Sequence, residues 1–436
     1  MDVVLITAAA ARHDYVFDGD GRVTDSLPAL STLASESAVF SCAYSGAPSS
    51  KTTMHVLLTG SHATGQNAAE LPTILERFED AGYATAAFHG NPDDDELTSR
   101  GFTVPNGESR ESGVSDRFRR AVGRRISDDS TLSGALEATN RTLGSSFGVN
   151  IASSSFVPGE VLTDRALEWM DETDGPRFLW VHYGDALPPH QPRPETESES
   201  LTSRRATRLA HACRRDSADI SEEDEADLKQ LYRGELQHLD RCIGTLLEGL
   251  DARLDRTEST VAFAGTNGCA LGDGDGWHEQ GRSLADECVR VPVFVDGPTC
   301  TSGRYDFAVS AVDVLPTLIG AANREPPEVG AGSDLGSLTD RRVTERQVFA
   351  RTTGDPPEVM VCNGRWKLVR RQSDGRERLY DRSQDADGMR DRSGENLPVH
   401  RALRHALDCF VESRGLRDRS RFGGRSSTEA VRKPGR

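Results

Sequence analysis

Apolar and polar positions along this chain fall into blocks whose period switches between that of a buried strand and that of a helix. Residues 3–7 (Val-Val-Leu-Ile-Thr) form a continuous apolar, β-branched run, the pattern of a strand covered on both faces. Pro28 then opens a short amphipathic helix through Leu30, Leu33 and Ala34, and "AVFSCAYS" reads as a second strand. Ser49 and Ser50 supply N-cap chemistry for a helix that runs through Met54, Val56, Leu57 and Leu58 to Gly60. Pro72 and Gly82 bracket the next helix, and "YATAAFHG" is the strand after it. Order continues with a helix near 160–171 and the strand "RFLWVHYGD" over 177–185. A long helix follows, carrying Leu228, Tyr232, Leu236, Leu239, Ile243, Leu246 and Leu250 at helical spacing. "TVAFAG" and "VPVFVDG" are two more buried strands, and residues 311–322 read as a helix kinked at its proline. Strands alternating with helices in this way predict a mostly parallel sheet sandwiched by helices.

Past about residue 340 the period shortens. "RQVFARTT", "VMVCNGRWKLVRR" and "ERLYD" are short alternating strands that suit a small antiparallel sheet, with a last helix near 397–413. The expected organisation is an α/β core over 1–335 and a C-terminal α+β lobe over 336–413. Residues 93–155 and 195–225, polar and charge-dense, read as variable insertions, the second as loop plus a short helix. The basic Gly/Ser/Arg-rich stretch 414–436 has the composition of a disordered tail.

Composition narrows the partners. A length of 436 residues is enough for one large domain with a smaller lobe. A net charge of −17 argues against nucleic acid, whose phosphates it would repel. Only 4 of the 52 cationic residues are lysine, and an acidic, Lys-poor surface suits a halophilic, high-salt interior where screening removes self-repulsion. No run of 18 apolar residues exists, so no membrane span is expected. The opening "MDVVLIT" lacks the features of a secretory leader, and the expected location is cytoplasmic. The eight cysteines (42, 213, 242, 269, 288, 300, 362 and 409) include no C-x-x-C pair and read as reduced, packed thiols.

The order of segments then carries a resemblance. "DVVLIT" with Arg12 and Asp14, "LPALSTLASESAVFSCAYSGAPSS…LLTG", "LPTILERFEDAGYATAAFHGNP", "FLWVHYGD", "ELQHLDRCIGTLLEGL", "ECVRVPVFVDGP", "VDVLPTL", "RWKLVRR" and "RLYD" follow one another as they do in sulfatases. The chain therefore resembles the sulfatase branch of the alkaline-phosphatase-like superfamily from residue 2 to about 412. The resemblance implies that fold, and an ester hydrolysis in which a nucleophile beside a divalent cation attacks in line.

What the resemblance implies about the site is where the chain departs from it. A hard cation takes several oxygen ligands, and the family has two acidic positions just after the first strand. Those positions fall on Ala9 and Ala10. After "TVAFAG" the family reads Ser-Asp-His-Gly or Ser-Asp-Asn-Gly, and this chain reads Gly265-Thr266-Asn267-Gly268. Asn267 alone matches, and Thr266 replaces a carboxylate. The nucleophile position falls on Ser50, but Thr52 and Met54 stand where formylglycine formation needs proline and arginine. Ser50 is either a helix cap or an unmodified hydroxyl nucleophile, with Lys51 as its basic neighbour. The family's Asp-Pro-His becomes Asp185-Ala186-Leu187, with His190 three residues on, and the histidine expected near Gln280 is replaced, with His278 close by. His182, Asp185, His190, His278 and Lys51 are the candidate anion-binding residues.

Two functions are open. One is a family member that lacks catalysis, holds no cofactor, and binds an anionic small molecule or a protein partner. The other is an active sulfuric or phosphoric ester hydrolase that uses Ser50 and a Ca or Mg ion in a site rebuilt from Asp14, His89, His182, Asp185, Asp273, Asp275 and His278.

Overall fold

The computed structural model describes residues 1–63, 70–89, 157–215, 220–273, 276–277, 283–322, 332–341, 343, 345–354, 356–383, 390–395 and 397–413. The expected insertion at 93–155 and the tail at 414–436 lie outside the described residues.

In chain order, β1 (Val3–Ala8) is followed by α1 (Pro28–Glu36), β2 (Ala38–Phe40), β3 (Ala43–Tyr44), α2 (Ser50–Thr59), α3 (Ile74–Asp80) and β4 (Ala84–His89). Then come α4 (Gly159–Glu172), β5 (Arg177–Tyr183), α5 (Ser203–Arg215), the long α6 (Glu222–Asp251), β6 (Thr260–Gly265), β7 (Val293–Asp296), β8 (Gly303–Tyr305), β9 (Val309–Ser310) and α7 (Val314–Ala321). The C-terminal part holds β10 (Val348–Arg351), β11 (Glu358–Cys362), β12 (Trp366–Arg371), β13 (Glu377–Asp381) and α8 (Pro398–Ser413).

Seven strands make the large sheet in the order β4-β5-β1-β6-β7-β2-β8. It is mostly parallel, with β7 running antiparallel to both neighbours. Every residue of β1 is buried, as its unbroken apolar run requires of a central strand. Because side chains alternate across a strand, Leu5, Phe178 and Trp180 face one layer, built with Met54, Leu57, Phe78 and Leu315. Ile6, Ala8, Leu179 and Tyr183 face the other, built with Leu162, Cys242 and Leu246. The small antiparallel sheet β10-β11-β12-β13 packs one face on α8 and the other on Tyr44, Leu284 and Cys288 of the large unit. Asp286 ties the two further, accepting from Lys367 at 2.6 Å and Arg382 at 2.8 Å.

Four expectations are corrected here. "AVFSCAYS" is two strands in two sheets, because after Phe40 the chain turns to pair Ala43–Tyr44 with Val309–Ser310. The segment 195–225 is mainly helix: Ala206 and Leu209 are buried, and Arg205 bridges α5 to Asp224 and Asp227 of α6. The long helix begins at Glu222, six residues before the apolar pattern, because Ser221 and Asp224 form a capping box. Pro316 sits in the first turn of α7, where a missing N–H is no loss, so it starts a helix rather than kinking one.

Candidate functional site

The ends of β1, β5 and β6 are in register, Ala8 beside Tyr183 and Gly265, so the residues that follow them share one edge. Ligands of parallel α/β sheets bind at such carboxyl edges. Ala9 and Ala10 follow β1 there, and Thr266 and Asn267 follow β6. All four are fully buried.

Ala10 holds φ at +55°, a left-handed conformation that alanine seldom adopts and that aspartate or asparagine tolerates better. Two hydrogen bonds hold it there. Its N–H donates to Asn267 Oδ1 at 3.2 Å, and the Tyr232 hydroxyl donates to its carbonyl. The same Tyr232 oxygen accepts from the Arg12 N–H at 3.0 Å. Asn267 is fully engaged, since its Nδ2 donates to Gly268 O at 2.7 Å. The backbone shape suits a short polar residue, and a methyl group fills it.

Ser50 comes to this place from α2. Ser49, not Ser50, is the N-cap, accepting from Thr52 N; Ser50 is the first helical residue and is 8% exposed. Its hydroxyl lies 3.0 Å from Thr266 Oγ1 and 3.5 Å from His182 Nε2. On the far side of that ring, Nδ1 lies 2.8 Å from Thr7 Oγ1. The Trp180 indole N–H, which can only donate, bonds Thr7 Oγ1 at 2.9 Å. Thr7 can pass its proton to Val181 O at 3.5 Å or to His182 Nδ1, and its second lone pair can equally accept from a protonated Nδ1. Burial, with His89 adding to it, lowers the His182 pKa to about 3, so the ring stays neutral.

Hydrogen-bond contacts thus run unbroken from Trp180 through Thr7 and His182 to Ser50, then to Thr266. Thr266 reaches Asn267 Oδ1 at 3.2 Å and Ala8 O at 3.4 Å. Every polar side chain in this cluster is uncharged and hydrogen-bonded. A divalent cation needs oxygen donors that carry charge. Here two ligand positions offer methyl groups, a third a hydroxyl, and the amide of the fourth is already engaged, so these residues do not fit one.

The remaining candidate residues disperse. Lys51 is exposed on the first turn of α2. Asp14 and Asp273 both pair with the buried guanidinium of Arg12, which is 2.6 Å from Asp14 Oδ2. Burial works against the Arg12 charge, but these two carboxylates outweigh it and raise its pKa. His89 lies beside His182 in register on the neighbouring strand. His190 is buried with its ring 5.3 Å from that of Tyr232. Asp275, His278 and Gln280 fall outside the described residues. Asp185 lies with α4 and α6, across the sheet from Ser50: its Oδ1 accepts from Gly159 N at 3.1 Å, 3.7 Å from His238 Nε2 and 3.6 Å from Arg193.

Sequence reasoning missed Thr7, Trp180 and Tyr232, which orient the cluster. The available signal was that a buried indole or phenol in a core run requires a partner for its polar atom. It also missed Glu235, 2% exposed and paired with Arg193, whose pKa burial pushes up to about 7 against that pairing.

Comparison with known proteins agrees with this architecture. The model of the protein family described as Sulfatase matches residues 2–324. The choline-sulfatase of Rhizobium meliloti (strain 1021) is 25% identical over 168 residues, which is 37% of this chain and 32% of that protein. The ulvan-active sulfatase of Formosa agariphila is 28% identical over 126 residues, 28% of this chain and 25% of that protein. The matched stretches thus span about a third and a quarter of those curated relatives. The phosphonate monoester hydrolase structure of Agrobacterium radiobacter superposes with a TM-score of 0.67 at 17% identity, covering 95% of each chain.

Proposed function

We propose, for a chain that belongs to the sulfatase family, that the family's ester-hydrolysing chemistry has been lost at the Ser50 site and that the site serves to bind an anionic small molecule. The observation that carries this is the uncharged, closed cluster of Ala9, Ala10, Ser50, Thr266 and Asn267, which has no carboxylate to hold a cation. Without a Lewis acid opposite it, several kcal/mol of transition-state stabilisation are missing. An anion would meet the N-terminus of the ten-residue α2, whose dipole favours negative charge. The relatives' names, choline-sulfatase, ulvan-active sulfatase and phosphonate monoester hydrolase, all denote anionic esters, which supports sulfate- or phosphate-bearing ligands here. A scaffold role for a protein partner is compatible with the same loss. The acidic, Lys-poor composition supports a high-salt cytoplasmic setting, and a melting temperature that rises from low to molar KCl is its expected signature.

One observation favours the second reading, an active hydrolase: Ser50 Oγ lies 3.5 Å from His182 Nε2, the arrangement of a nucleophile and base. The methyl groups of Ala9 and Ala10 and the hydroxyl of Thr266 oppose it, since no carboxylate there would hold a cation opposite the nucleophile. Hydrolysis of aryl sulfates and aryl phosphates with excess Mg or Ca, compared with Ser50→Ala, tests the two. The expected result is no Ser50-dependent turnover, with sulfate or phosphate raising the melting temperature; Ser50-dependent turnover would establish the hydrolase.

A further inference from the structure

A second cluster stands on the opposite face of the sheet from Ser50, and none of its groups has a part in the function proposed above. On α6, His238 and Cys242 lie four residues apart and so project from one side of the helix. Both are buried. Glu160 reaches them from the first turn of α4, and Asp185 from the loop after β5. The donor atoms of Glu160, His238 and Cys242 all lie within 4.8 Å of one another. Measured from His238 Nε2, Glu160 Oε1 is 3.3 Å away, Asp185 Oδ1 3.7 Å and Cys242 Sγ 3.9 Å.

Those spacings carry chemical meaning. Four ligands around one ion with bonds of ~2.0–2.3 Å have tetrahedral edges of ~3.3–3.7 Å. One imidazole nitrogen cannot hydrogen-bond three such neighbours with a single proton, yet three donors converge on it at close to that edge length.

A second observation points the same way. Asp185 is 3% exposed, and its Oδ2 is buried without a hydrogen-bond partner. A buried carboxylate oxygen left unpaired is costly. This atom is aimed at Gly159. A Cβ added there would lie 2.8 Å from Asp185 Oδ2 and 3.0 Å from Cys242 Sγ, so the missing side chain leaves a cradle onto which carboxylate and thiol converge. Among the described residues, Arg193 is the one permanently charged cation placed against Asp185, at 3.6 Å, and it is shared with Glu235.

We infer that Glu160, Asp185, His238 and Cys242 form a zinc-class metal site that clasps the start of α4 and the loop after β5 to the middle of α6. Thiolate with imidazole selects a borderline-soft ion over Mg or Ca. Binding releases the Cys242 proton to solvent. Two carboxylates and a thiolate around a divalent ion leave one negative charge, which faces Arg193. The half-exposed Glu160 is the edge through which the ion enters.

The test uses the untagged full chain, stripped with chelator and titrated with Zn(II) by calorimetry and with Co(II) by absorption. Expected are one equivalent bound, with Kd below about 1 μM, and a cobalt–thiolate charge-transfer band. Cys242→Ser should abolish the band, and Cys242→Ser and His238→Gln should each weaken binding more than about 100-fold. Asn267→Ala should leave binding unchanged, which separates this site from the Ser50 cluster. Should either buried variant fail to fold, exposed Glu160→Gln replaces it, with an expected loss of about tenfold. Substoichiometric binding, or binding that survives these substitutions as an adventitious ion only, would overturn the assignment, as would loss of binding in Asn267→Ala.

Discussion

The Ser50 cluster and the Asp185 cluster sit at the same carboxyl edge of one sheet, at the ends of adjacent strands, and their electrostatics are opposite. Around Ser50 the polar side chains of the cluster are neutral and partnered in one continuous run of hydrogen bonds. Around Asp185 two carboxylates, a thiol and an imidazole crowd together, with one carboxylate oxygen unpaired. A cation has no anchor in the first and an unmet counter-charge in the second. Burial alone therefore does not make a metal site; buried charge that the protein itself leaves uncompensated is the informative feature.

The sharpest way to break the contrast is to put charge into the neutral cluster. Ala9→Asp, Ala10→Asp and Thr266→Asp combined should destabilise the metal-free chain by about 4 kcal/mol or more, because three fully buried carboxylates would be unpaired. Millimolar Ca or Mg should restore part of that loss in urea unfolding. A triple variant as stable as the parent without divalent ions would mean this place tolerates charge after all.

On the other side, filling the cradle should be the next largest change. Gly159→Ala forces a methyl group to 2.8 Å from Asp185 Oδ2 and 3.0 Å from Cys242 Sγ, with an expected loss of about 2–3 kcal/mol. Zinc titration of the same variant should show binding lost as well. Full stability with binding intact would show that the cradle is not part of the clasp.

Acid should weaken the neutral cluster through His182. His182 has a folded pKa lowered to about 3, below the unfolded value near 6.5. The unfolded chain takes up a proton that the folded one refuses, so the stabilising effect is complete above pH 6.5 and declines as pH falls toward 3. The slope is about 1.4 kcal/mol per pH unit, or about 2 kcal/mol by pH 5. His13, also held near 3 by burial and by Arg290 and Arg382, adds a parallel contribution. The difference between parent and His182→Gln in urea midpoints from pH 7 to pH 5 isolates the first; identical slopes would place the His182 ring in water.

The smallest effect is the most telling for activity. Ser50→Ala removes one neutral hydroxyl from the chain and should cost only about 1 kcal/mol of stability. A much larger loss would mean that Ser50 holds more of the edge together than its two contacts indicate.

Much of this was legible in the residues. Unbroken apolar runs marked β1 and β6, helical spacing marked α6 from Leu228, and the serine pair marked the start of α2, because local period and cap chemistry act within a few residues. The absence of carboxylates at Ala9, Ala10 and Thr266 could also be read by position along the chain. Hidden were the capping box that lengthened α6, and the split of "AVFSCAYS" between two sheets, which long-range pairing decides.

The sequence by itself determined which elements form, in what order, and which side chains of each strand share a face, since alternation is a property of the strand. Only the tertiary structure decided that His182 and Asp185, three residues apart, serve opposite faces of the sheet. It also brought Glu160 to His238 and Cys242 across about eighty residues, and set the His182 ring between Thr7 and Ser50. Such convergence depends on how α4 and α6 pack against the sheet and on which acceptor lies nearest a hydroxyl. Both are set by contacts between segments distant in sequence, and no local pattern encodes them.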